Sequence, residues 1–236
     1  MAHGSPKVWK TNREVVEIKN VYKSYGSLTV LQDVSLTIPE GQIMAIVGPS
    51  GAGKTTLLQI AGTLDRPDRG EVVFDGKNIL KLKDRTLSIF RNRNIGFIFQ
   101  FHQLLPEFTA LENVAMPALI GGEKRSVAFR EAKRILEELG LAERLGHKPA
   151  EMSGGERQRT AIARAIINKP GIVFADEPTG SLDSHNRDEI QNIILSLKEN
   201  HGQTFVMVTH DPAMAAIADT TVRMADGRIE TDDFDI

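Results

Sequence analysis

The stretch that most constrains this chain is Gly48-Pro49-Ser50-Gly51-Ala52-Gly53-Lys54-Thr55. It satisfies G-x-x-x-x-G-K-[ST] and stands between an apolar run at 42–47 and a helical pattern at 54–62. Glycines at these spacings let the backbone turn so tightly that successive N–H groups point inward at a helix N-terminus, making a nest for an anion. Lys54 then reaches the β- and γ-phosphates of a nucleotide as a point charge, and the Thr55 hydroxyl is set to coordinate Mg²⁺. A glycine-rich turn with a surface lysine would not require the whole pattern between a strand and a helix.

The remaining periodicities say what surrounds this loop. Short β-branched runs at 15–21, 31–38 and 42–47 follow one another through turns too short for helices and predict a separate antiparallel layer. Strand patterns at 95–100, 172–175, 204–208 and 221–224 alternate with helical ones at 184–200 and 212–217, which predicts a mostly parallel sheet covered on both faces. A further strand is expected at 71–75. Residues 109–146 read as helical, interrupted at Pro117 and Gly121-Gly122, and another helix runs from about 155 to 168. With 236 residues and no internal repeat, the chain supports one core with at most a small lobe.

Composition removes several classes of function. Twenty-nine Lys and Arg against 31 Asp and Glu leave a net charge of −2, so no global field draws the chain to nucleic acid or to an acidic membrane. With no cysteine there is no disulfide framework and no thiolate metal site. Apolar runs fall far short of the roughly 18 to 20 residues of a spanning helix. Residues 1–9 lack a secretory pattern, so a cytoplasmic protein is expected, with 1–5 read as an appendage foreign to the fold.

Three further groups carry chemistry. The apolar strand at 172–175 runs into Asp176-Glu177, at the edge where ligands sit in open parallel sheets. Because adjacent strand residues face opposite ways, the two acids can divide the work. Asp176 is the natural partner of hydrated Mg²⁺, and Glu177 of the water that attacks the γ-phosphate. His210 follows the next strand; it either meets the γ-phosphate with Glu177 or belongs to a Thr209-His210-Asp211 cap of the helix starting near Pro212. Ser153-Gly154-Gly155-Glu156 is a capping box at the start of a helix, and its glycines bare N–H groups that suit a second phosphate.

Taken together, these residues resemble the nucleotide-binding subunit of an ATP-binding cassette (ABC) transporter over nearly the whole chain. The family's base-stacking aromatic falls on Tyr25, its Q-loop glutamine on Gln100, its D-loop on Ser181, Leu182 and Asp183, and its switch histidine on His210. Its signature falls on Ser153, Gly154, Gly155 and Glu156, the last a departure from the commoner glutamine. The resemblance implies an α/β fold: a P-loop ATPase with a RecA-like parallel core, an N-terminal antiparallel layer and a helical subdomain, at about 101–160, within one domain spanning 1–236. It implies nucleotide contacts from Tyr25, from Gly48 through Lys54, Thr55 and Thr56, and from Gln100. Mg²⁺ would be held by Thr55, Gln100 and Asp176, and catalysis would rest on Glu177, His210 and Lys54.

The same resemblance implies an ATP-sandwich dimer, in which Ser153 of one copy completes the site of the other. The dimer would work with integral membrane subunits at the cytoplasmic face of the inner membrane. Residues 99–114 are most similar to the lipoprotein-releasing type, whose membrane partners are of the LolC/LolE type, and to its macrolide-efflux and cell-division relatives. No nucleic acid is expected. The rivals are a nucleic-acid ATPase, which would interrupt the cassette with long coiled coils or zinc modules, a phosphotransferase, which leaves Ser153 and His210 without work, and a nucleotide-gated assembly module.

Overall fold

The computed structural model describes residues 14–180 and 182–230. The chain opens with a hairpin, β1 (Glu14–Tyr25) and β2 (Leu28–Pro39), then β3 (Ile43–Val47), α1 (Lys54–Ala61), β4 (Arg69–Phe74), β5 (Lys77–Asn78), α2 (Asp84–Asn94) and β6 (Ile95–Ile98). Three helices follow, α3 (Ala110–Ile120), α4 (Arg125–Glu138) and α5 (Gly154–Ile166). It ends with β7 (Ile172–Asp176), α6 (Ser184–His201), β8 (Thr204–Val208), α7 (Pro212–Ala216), β9 (Thr220–Ala225) and β10 (Arg228–Glu230).

Two sheets result. One is antiparallel, in the order β2-β1-β4-β5, and the other runs β10-β9-β3-β8-β7-β6 with every pair parallel except β9 and β10. The antiparallel layer and the parallel core are thus as expected, but their membership is not. β3 lies inside the parallel sheet between β8 and β9, and β4, after the first helix, crosses to pair with β1. The reason is burial: all of Ile43 to Ile46 is buried, which suits only a strand covered on both faces.

Alternation along the parallel strands feeds two cores. Met44, Ile46, Ile172, Phe174, Val206 and Val208 face α1 and the antiparallel sheet, so α1 is packed between the sheets. Ile43, Val173, Ala175, Phe205 and Met207 face the other way, onto α5, α6 and α7. A third cluster joins α3, α4 and α5 through small residues, among them Ala110, Ala115, Ala128, Ala132 and Ala163. Pro117 does not interrupt α3: burial of Val114, Ala115 and Ala118 outweighs the single hydrogen bond a proline removes, and the helix stops at Gly121. The polar helix α2 has no apolar stripe to betray it, since only Leu87 is buried.

Candidate functional site

Where β3 meets α1 the chain forms a loop that its own side chains do not cap. Gly53, at the N-cap of α1, has φ 94°, and a Cβ there would stand 2.8 Å from the Val30 carbonyl oxygen, so both conformation and space require glycine. No side chain caps the helix and no acid stands in its first turn. The ammonium of Lys54 is buried and donates to the carbonyl oxygens of Gly48 (2.9 Å) and Pro49 (2.8 Å), which holds the cation over the loop.

The ends of the neighbouring parallel strands converge on this loop. At the end of β7, Asp176 accepts a hydrogen bond from the Thr55 hydroxyl at 3.2 Å. Burial, with the nearby Glu177 charge, raises the Asp176 pKa above its ordinary value, against the opposing pull of Thr55 and Lys54. Two oxygens that could hold a hard cation are thereby brought together, and an all-oxygen donor set fits Mg²⁺, which keeps most of its shell as water and phosphate. Glu177 does not continue the strand: its φ is 48°, a left-handed conformation that replaces the simple alternation of a strand end. The turn brings Glu177 Oε1 within 2.7 Å of His210 Nδ1. His210 therefore meets Glu177 through its ring, while Asp211 caps α7 by accepting from the Ala213 N–H and has its own N–H held by the Thr209 hydroxyl.

Gly48, Ser50 to Thr56, Gln100, Asp176, Glu177 and His210 line one cleft of about 610 Å³. The wall also includes Leu28 and Val30, which carry no polar signal in the sequence. Pro49 enters only through the carbonyl that receives Lys54. Tyr25 stands beside the cleft, paired with Leu28 of its wall across the hairpin: its ring is half exposed, and its phenol donates to Asp65 at 2.6 Å.

The signature residues lie apart from this cleft. Ser153 caps α5, accepting from the Glu156 N–H, and Glu156 accepts from the Ser153 N–H at 2.7 Å and from Arg144 at 2.7 Å. Gly154 and Gly155 face the start of α6: Leu182, just before the helix, packs against Gly154, and a Cβ on Gly155 would overlap the amide of Asn186 in its first turn. Asn186 is bonded to Asp183, the N-cap of α6. A side chain at 155 would have to displace that amide, a reason for glycine that its spacing alone did not disclose. Ser181 lies outside the described residues.

A phosphate loop on a parallel sheet, facing a Thr-Asp pair and a Glu-His pair, defines a nucleoside triphosphatase. The family model for "ABC transporter" matches residues 31–180, and the chain belongs to that family, as an ATPase subunit. Its relatives include proteins described as "Lipoprotein-releasing system ATP-binding protein LolD". That of Bacteroides fragilis is 56% identical across 91% of this chain and 100% of its own length, and that of Geobacter metallireducens is 51% identical across 92% and 99%. A solved dimeric ATP-binding cassette, in a post-hydrolysis state bound to ADP and Pi, superposes with a TM-score of 0.85 at 40% identity, covering 92% of this chain and 97% of that one.

Proposed function

We propose that this chain is the ATPase of a lipoprotein-releasing transporter, acting as a dimer at the cytoplasmic face of the inner membrane. The observation that carries the ATPase chemistry is the pairing of Glu177 with His210 in the cleft that Lys54, Thr55 and Asp176 also line. The N–H groups of the loop and Lys54 hold the β- and γ-phosphates. Glu177 takes the proton of the attacking water, and His210 orients that carboxylate and contacts the γ-phosphate. Thr55, Asp176 and Gln100 would hold Mg²⁺, which supplies neutralisation of phosphate charge when bound.

Ser153 of the partner subunit closes each site, with Leu182 and Asp183 of the D-loop beside it. The identity with lipoprotein-releasing relatives supports the cargo. It also supports membrane subunits of the LolC/LolE type, for which a groove lined by Leu64, Phe97, Phe99, Pro117 and Ile120, beside the largely exposed Phe101, offers apolar surface. We take 101–160 as a helical subdomain within one domain spanning 1–236.

The test is the molar mass of Glu177→Gln by light scattering, with and without Mg-ATP. A monomer that becomes a dimer only with nucleotide supports the sandwich; ATP bound without dimerisation counts against it. For the cargo, Lys54→Met in cells should leave lipoproteins in the inner membrane.

A further inference from the structure

We infer that Lys23 and Asp65 are positioning residues for the nucleotide, holding the Tyr25 ring as the platform on which its base stacks. The inference rests on the reading of Tyr25 as the base-stacking residue and names the device that makes that stacking possible. Lys23 and Tyr25 are two apart on β1 and so share a face of the strand. The Lys23 ammonium lies 4.9 Å from the Tyr25 ring centroid, a cation on one face of the ring. It donates to Asp65 Oδ1 at 2.9 Å and to the Arg66 carbonyl at 2.7 Å, while the Tyr25 hydroxyl donates to Asp65 Oδ2.

One carboxylate therefore holds both the ring's edge and the cation at its face. The charges answer to each other. Burial works to lower the Lys23 pKa, but Asp65 overcomes it and raises the value. Burial likewise works to raise that of Asp65, and the bonds from Tyr25 and Lys23 bring it below the ordinary carboxylate range.

The support is continuous with the phosphate loop. Asp65 lies in the segment leaving α1, and its N–H donates to the Gln59 carbonyl of that helix at 3.3 Å. The Asp68 carboxylate accepts from the Ser24 N–H at 2.7 Å, which ties that segment to β1 again. An exposed tyrosine would otherwise lose side-chain freedom when a base stacked on it, and restraint beforehand removes that cost. With Lys23 on one face, the base takes the other. A ring face reads any nucleobase, so the device serves nucleoside triphosphates as a class.

Titration calorimetry in Mg-free buffer, with ATP and with inorganic tripolyphosphate, separates the base from the phosphates. Lys23→Met and Asp65→Asn should each weaken ATP about tenfold and leave tripolyphosphate unchanged. Lys23→Arg should keep ATP affinity, and Lys23→Met should add no loss in a chain already carrying Tyr25→Ala. Equal losses for both ligands, or additive loss with Tyr25→Ala, would mean general support of the fold and overturns the inference while the reading of Tyr25 stands. Unchanged ATP affinity in Tyr25→Ala alone removes that reading, and the inference with it.

Discussion

Two helices of this chain begin at glycine-rich segments that suit phosphate, and they begin in opposite ways. α1 starts at Gly53 in a left-handed conformation, with no side-chain cap and no acid in its first turn. α5 starts at Ser153 with a complete capping box, and its own Glu156 occupies the position a phosphate would favour by charge. The first helix end leaves its N–H groups to whatever the cleft binds; the second satisfies two of its donors itself. A phosphate site that must hold its ligand alone adds a lysine, a hydroxyl and a nest. In the proposed sandwich the second is brought to a ligand already held, so it must first be a stable helix end, and a capping box contributes about 1 kcal/mol to that.

The contrast can be broken at either end. Lys54→Met should reduce phosphate release by about a hundredfold or more, because the charge that meets the phosphates is gone. Ser153→Arg should reduce turnover by about a hundredfold too while leaving ATP affinity at Lys54 of the same subunit within about twofold. If ATP binding failed as well, the two helix ends would not be separate sites.

Smaller changes sharpen the second end. Gly155→Ala should cost about 1–3 kcal/mol in denaturant unfolding, since its Cβ must displace the Asn186 amide; adding Asn186→Ala should return part of that loss. Gly154→Ala, whose Cβ would meet Leu182 at 3.4 Å, should cost nothing. Equal costs at the two glycines would remove the packing explanation.

The smallest effect is a pH dependence. The Ser153 N–H, against burial and with help from Arg144, brings the Glu156 pKa down to about 2. A depressed carboxyl contributes stability above its unfolded pKa, about 4.3, and that contribution is lost as pH falls from there toward the folded value. Urea midpoints between about pH 5 and about pH 3 should therefore fall less in Glu156→Gln than in the parent chain.

These differences also mark what was legible. The loop at 48–55, the acids closing β7 and the capping box at 153–156 are patterns of adjacent residues, because each encodes a turn or a helix start within a few peptide units. Ser153 and Lys54 could be read without knowing their neighbours. Helix α2 could not, lacking apolar periodicity, and neither could the strain at Glu177 that turns its carboxylate to His210. Asp65 carries no signal of its own, since its partners Lys23 and Tyr25 are some forty residues away.

By itself the sequence determined the local devices: an anion nest after a buried strand, two carboxylates at a strand end, a self-capped helix, and a family resemblance built from their order. Only the tertiary structure decided that β3 joins the parallel sheet while β4 leaves for the other. It alone brought Asp65 to the Tyr25 hydroxyl and set Asn186 against Gly155. Backbone conformation is governed by neighbours within a turn, whereas sheet membership and side-chain meetings are settled by which arrangement buries apolar surface on both faces of every central strand.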